Sequence, residues 1–509
     1  MMLALSASLA GAGWYTGFFA AHNDFWGAVF IAQQMNAGVR ESFHNGFFPL
    51  GYPLLLKSYP DMLPLDVWGF LTSFASAVVV LVASWFLAKR LMPRGLAWLL
   101  LPFIAFHPLC FFYFTTAGVD PGAMAFFLAG MALLLHAAER AVEGTAGGTE
   151  RAPSGRGAFK AAMAAGILIG LGGLWRYHAL IAGLILVVSV ALAYRRIAIP
   201  LVAALFIAVA YSPQALINLS LGLSPLHTNY ELAVYDLMHD VNWHALGDIA
   251  VQPTMLQVLL SDPALFLRQY ARGVASLMIY ALPALVLVVM TRDPARKRRA
   301  TSLGLFLVGY ALVFGLSVGG RAPLLVLPLA LISCGAVLSA VFDLRRARAG
   351  AGTTGVVRGV AAFLAMVFVI FVVKDARALK ARVAQAATYR AVERHLIDAG
   401  VRDAREVFTT DFDLYFRTIP PYRPRYNGGW GLFGTYRWRE EFPQAPTGDL
   451  EAFIADNRAH GRRFVILSPQ AGKVASFLDE AHTAFAPRSG LVPVRRIGHL
   501  SIFVVTESL

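Results

Sequence analysis

Two cysteines in 509 residues are too few for a disulfide framework or a thiolate metal site, and both Cys110 and Cys334 fall in apolar stretches where packing accounts for them. Charge is also scarce. With 15% charged residues, 57% hydrophobic residues and a mean hydropathy of +0.59, the chain does not suit an ordinary soluble enzyme. It has no Walker A loop and no His-Glu-x-x-His run, so nucleotide-driven transport and zincin proteolysis both lack their parts. No fixed-period repeat points to a solenoid. The first segment has no basic n-region, and Gly11, Gly13, Trp14 and Tyr15 interrupt any tidy h-region and cleavage site, so it reads as a retained span.

What the chain does have is long apolar runs. Stretches long enough to cross the hydrocarbon occur near 1–20, 65–88, 95–116, 121–138, 158–174, 177–194, 197–218, 273–291, 300–319, 322–342 and 356–373. The reading is a polytopic α-helical membrane protein of about 11 transmembrane helices, with its termini on opposite sides. Basic residues then fix an orientation. Lys89, Arg90, Arg195, Arg196, Arg292, the run Arg296 to Arg299, Arg345 and Arg346 all lie in one set of loops. The other set holds only Arg40, Lys57, Arg176, Arg268, Arg272 and Arg321, so it faces away from the cytoplasm. Topology and anionic lipid thus account for much of the net charge of +14, and nucleic acid is not an expected partner.

The expected organisation is a membrane domain over 1–373, with external loops at 20–64 and 220–272, and a C-terminal α/β domain over 374–509. The Gly/Ser-rich stretch between Glu139 and Lys160 reads as a cytoplasmic linker. After Val373, residues Lys374 to Ala399 read as a helix stopped by Gly400. Glu406 to Thr410 and Arg463 to Leu467 read as buried strands, and Val492 to Ile497 with Leu500 to Val505 as a terminal hairpin around Gly498-His499. An odd span count puts this domain on the same side as the loop at 20–64.

That first loop is the most informative segment. Asp24 stands within His22-Asn23-Asp24-Phe25-Trp26, beside the bilayer, where a carboxylate is costly unless it pairs or works. A short helix stopped by Gly38 and the turn Phe47-Phe48-Pro49-Leu50-Gly51-Tyr52-Pro53 follow. This order of acid, helix, glycine and aromatic-Pro-x-Gly-Tyr-Pro turn resembles the first external loop of the GT-C superfamily. These are integral-membrane glycosyltransferases that use polyprenyl-phosphate-linked sugars. The resemblance covers roughly residues 1–340 by order of elements and implies a lipid-linked donor, with a lipid, glycan or protein as acceptor. It also implies membrane lipids as surroundings, points to no certain cofactor, and leaves a divalent metal ion open.

Further positions carry the comparison. Asp120, in Gly118-Val119-Asp120-Pro121, matches the acid of the second external loop, although Asp before Pro is also a good helix cap. Arg176, in Trp175-Arg176-Tyr177-His178, resembles the arginine that GT-C proteins carry there. It suits a lipid phosphate, with snorkelling to the interface as the plainer reading. Arg321, in Gly319-Gly320-Arg321-Ala322-Pro323, resembles the opening of a late span, with Ala322 in place of an aromatic residue. The loop at 220–272 is rich in aromatic and polar groups suited to sugar, among them Tyr230 and Glu231, and His22, His44 and Tyr52 are further substrate-binding candidates. His239 and His244 are five residues apart, not the spacing of a helical zinc pair. The resemblance implies an inverting glycosyltransferase of the inner or plasma membrane with Asp24 as general base, Asp120 as a second catalytic acid, and Arg176 and Arg321 on the donor phosphate. A polyprenyl-linked lipid flippase and a non-catalytic assembly subunit are the alternatives.

Overall fold

A computed structural model describes residues 1–17, 19, 23–36, 49–58, 65–146, 154–228, 230–231, 234, 238, 254–316, 322–348, 354–402, 406–411, 414, 449–469, 471, 476–488 and 490–506. Its first ten helices are α1 (Met2–Thr16), α2 (Asn23–Asn36), α3 (Gly51–Lys57), α4 (Leu65–Ala88), α5 (Arg94–Ala105), α6 (Pro108–Phe114), α7 (Asp120–Ala146), α8 (Ser154–Trp175), α9 (Tyr177–Tyr194) and α10 (Ala198–Ser220). They are followed by α11 (Met255–Ser261), α12 (Pro263–Met290), α13 (Pro294–Val313), α14 (Ala322–Arg348) and α15 (Thr354–Asp398). The remainder holds β1 (Val407–Thr409), α16 (Leu450–Ala459), β2 (Phe464–Leu467), α17 (Ser476–Ala484), β3 (Leu491–Ile497) and β4 (Leu500–Val505).

The chain is an integral membrane protein. Among the described residues eight helices are long and apolar enough to cross a bilayer, or nine if the bent pair α5–α6 is one span. The other two stretches expected to span are the 15-residue α1 and α13, whose first turns carry Arg296, Lys297, Arg298 and Arg299. Large apolar side chains such as Val289, Leu201 and Leu192 remain exposed on these helices, as lipid contact requires.

Two breaks shape the region that matters. The stretch at 95–116, expected to be one span, bends by 71° between α5 and α6. Pro108 has no N–H to continue the ladder, and His107 starts a new helix by accepting the amide of Leu109 on its ring nitrogen at 3.2 Å. Between α8 and α9 the interruption is a single residue, Arg176, whose backbone is extended at φ −148° and ψ 130°. Helix α8 is held tightly against α10, where a Cβ on Gly166 would lie 2.3 Å from the Ala203 carbonyl and one on Gly170 would lie 2.7 Å from that of Ile207. This small-xxx-small spacing lets the two backbones meet.

The last apolar stretch and the expected exit helix are one continuous helix, α15, so the boundary drawn at 373/374 falls inside it. It ends near Gly400, at φ +77°. The sheet order is β1-β2-β4-β3, with β1 and β2 parallel and the other pairs antiparallel. Gly498, at φ +58°, makes the turn of the terminal hairpin. Strand alternation separates two cores: Phe464 and Ile466 join Ala386, Tyr389, Val392 and Leu396 of α15, while Val465 and Leu467 pack with Phe453 and Leu478. Of the glycine-rich stretch between Glu139 and Lys160, the described residues belong to α7 and α8, and 147–153 lie outside the described residues. Helix α12 begins ten residues before the span expected at 273–291, within the loop assigned to 220–272. Cys110 is buried as expected, whereas Cys334 is exposed on α14.

Candidate active site

Arg176 occupies the one-residue gap between α8 and α9, and two acids come to it from separate elements. Asp24 is in the first turn of α2, and Asp120 is the first residue of α7. Both therefore sit where free backbone N–H groups favour negative charge. The Arg176 Nε donates to Asp120 Oδ1 at 3.0 Å and Nη2 to Asp120 Oδ2 at 3.3 Å, while Nη2 also donates to Asp24 Oδ2. All three side chains are only 12–13% exposed. Burial by itself works against the charged guanidinium, but Asp120 and Asp24 outweigh it and raise its pKa above the ordinary arginine value. Both acids thus meet the same guanidinium.

The surrounding packing explains the glycines nearby. A Cβ on Gly122 would lie 2.2 Å from Trp175 Nε1, and one on Gly51 would lie 2.7 Å from the Leu174 carbonyl. Both positions must stay bare for α7 and α3 to close on the end of α8. Tyr52, fully buried, then sets its ring 5.9 Å from Trp175. Helix α2 docks on α4 in the same way, with Phe25 pressed over Gly69. The turn before α3 is fixed by Gln214 of α10, which accepts the Leu50 amide at 2.8 Å and donates to Asn218 at 2.9 Å. Gln214 and Asn218 were not singled out from the sequence. Their signal was two amides at i, i+4 in an otherwise apolar span.

On the other side of Arg176, His178 stacks on Phe314 at 5.0 Å and meets the edge of Tyr230 at 6.4 Å. Among the described residues, the buried Tyr230 hydroxyl and Glu231 Oε2 have no hydrogen-bond partner. The structure thus brings Asp24, Asp120 and Arg176 into contact, with Tyr52 against Trp175 and Tyr230 against His178. His22, His44 and Arg321 lie outside the described residues, as do Gly319, Gly320, His239 and His244. Among the described residues no three His, Cys, Asp or Glu side chains form a group able to hold a metal ion.

No family model matches the sequence, and no curated protein matches it. Solved structures do. ArnT from Cupriavidus metallidurans, bound to undecaprenyl phosphate, is 12% identical, with 99% of this chain and 97% of that chain covered and a TM-score of 0.59. The apo oligosaccharyltransferase of Archaeoglobus fulgidus is 13% identical, with coverage of 100% and 74% and a TM-score of 0.54. The same archaeal enzyme in complex with Zn and sulfate is 14% identical, with coverage of 99% and 73% and a TM-score of 0.52. Likeness at this identity is likeness of fold, and the fold of this chain is GT-C-like.

Proposed function

We propose that this protein is a membrane glycosyltransferase that moves a sugar from a polyprenyl-phosphate-linked donor to a lipid, glycan or protein acceptor outside the cytoplasm. The observation that carries the reading is the buried meeting of Asp24, Asp120 and Arg176 in a GT-C-like fold. The distribution of Lys and Arg supports an inner or plasma membrane location with this site external.

In this reading Asp24 takes the proton of an acceptor hydroxyl as that oxygen bonds to the anomeric carbon. The bond from that carbon to the phosphate oxygen breaks, its electron pair leaves with the polyprenyl phosphate, and a single displacement inverts the anomeric centre. Phosphate oxygens compete with the carboxylates for the N–H fork of Arg176. As the phosphate takes that fork, Asp24 loses part of its neutralising partner and becomes a better base. Asp120 keeps Arg176 aimed, and Arg321 is the second phosphate contact. Tyr52, Tyr230, Glu231, His22 and His44 contribute to substrate binding. Asp24 and Asp120 both meet a guanidinium, and among the described residues no third His, Cys, Asp or Glu joins them to form a group able to hold a metal ion.

The test is incubation of the purified protein with radiolabelled polyprenyl-phosphate sugars and candidate acceptors. Label appearing on an acceptor supports the reading. Label that crosses a proteoliposome bilayer while still on the polyprenyl carrier, with no transfer, would identify a flippase instead. Neither outcome with any donor would leave an assembly role.

A further inference from the structure

Helix α15 carries one buried stripe along its extramembrane half. Asp375, Arg382, Tyr389 and Leu396 recur at intervals of seven residues, each 5% exposed or less. Tyr389 and Leu396 face the sheet, and the Tyr389 hydroxyl donates to Asp411 Oδ1 at 3.0 Å, just beyond β1. Arg382, two turns closer to the membrane, instead reaches the membrane bundle. Its Nη1 donates to the Thr115 carbonyl at 3.0 Å and its Nη2 to Thr115 Oγ1 at 2.9 Å.

Thr115 opens the short segment that ends at Asp120. No regular secondary structure holds this segment, so its path depends on outside partners. The Ala117 amide donates to the Phe19 carbonyl at 2.6 Å, and the Gly118 amide to Ser73 Oγ at 3.1 Å. Arg382 fixes the entrance, these two bonds fix the middle, and Arg176 holds the exit at Asp120. Simple attachment of α15 to the bundle is already supplied nearer the membrane by Phe368 against Phe103 and Phe106, and by Phe371 against His107. Burying a guanidinium costs more than an aromatic contact would for the same attachment. What the arginine adds is direction, since it grips both oxygens of one residue.

We infer that Arg382 is a positioning residue for the transfer reaction, setting the path of the 115–119 segment and thereby where Asp120, Arg176 and Asp24 stand. For its activity readout the inference rests on the glycosyltransferase reading above; for its structural readout it does not.

The test uses the purified full-length protein as wild type, Arg382→Gln, Arg382→Lys and Thr115→Val, with the exposed Arg377→Gln as a control. With a donor that the wild type uses, Arg382→Gln should lower kcat about 10²-fold, with the donor KM changed by less than about twofold. Arg382→Lys should recover part of the loss. In an Asp120→Asn background the Arg382→Gln change should add little, because it acts through that acid. A merely structural role would leave kcat of the folded fraction intact and the two effects multiplicative. Hydrogen exchange supplies the independent readout: the Ala117 and Gly118 amides should exchange faster in Arg382→Gln, with the α7 and α8 cores unchanged. Wild-type exchange in that segment together with wild-type kcat overturns the inference. Faster exchange in a protein that transfers no sugar would keep the positioning role and remove the glycosyltransferase reading. Should Arg382→Gln not fold, Thr115→Val decides, because it deletes one of the two acceptors and should show part of both effects.

Discussion

A carboxylate and a guanidinium buried together are each stable only because of the other. Removing Arg176 would leave Asp24 and Asp120 close together without their shared cation, a loss on the order of 3–5 kcal/mol for broken buried pairs. Arg176→Gln should therefore lower the melting temperature of the detergent-solubilised protein, and adding Asp120→Asn should recover part of the loss. Equal melting temperatures for single and double variants would mean that the acids do not depend on this arginine. Asp24→Asn makes the complementary test, because it keeps shape while deleting the proposed base. Transfer should fall by about 10²–10⁴-fold with the fold retained. Near-normal turnover in that variant would remove Asp24 from the chemistry. Arg176→Lys and Arg321→Lys keep the charge but lose the planar fork, so each should weaken donor binding, measured by titration with a donor analogue.

Between elements, bare glycines decide how closely the helices approach, and their loss should have effects that differ by place. Gly166→Val drives atoms into the α10 backbone, where even a Cβ would lie 2.3 Å from the Ala203 carbonyl, so it should destabilise by a few kcal/mol. Gly359→Ala is the contrast. Nothing lies within 4 Å of its Cβ position, and in a helix interior it should be neutral or slightly stabilising. Gly122→Ala tests the site more directly, because the added methyl must push Trp175, the residue before Arg176. Its expected signature is a fall in kcat larger than any fall in melting temperature. A variant that loses stability alone would show that the Trp175 contact does not steer the arginine.

Across the whole molecule, sidedness connects the parts, since a base acting on an exported acceptor must face the exterior. In a background with Cys110 and Cys334 replaced, single cysteines at Ser42, Ser261 and Ser476 should react with a membrane-impermeant maleimide in intact cells. A cysteine at Ser154 should react only after lysis. The reverse pattern would put the site in the cytoplasm. The continuous helix α15 makes Ser476 informative here, because it carries the chain directly from the bilayer to the sheet.

The sequence by itself determined the membrane class, most of the apolar stretches, the strands of the terminal sheet and the acids and arginine worth watching. These follow from local signals: hydropathy over a span, period-two alternation, and charges where the bilayer makes them costly. It did not determine how those charges are used. Asp24, Asp120 and Arg176 are 56 to 152 residues apart in sequence, and nothing local marks Arg176 as the partner of two acids. Arg382 lies within the stretch that reads as an exit helix, and its partner Thr115 is 267 residues away. The bend at His107, the merging of the last apolar stretch with the exit helix, and the exposure of Cys334 were likewise decided by packing. Pairings over such separations depend on which helix faces meet, and that is a property of the closed bundle and not of any segment within it.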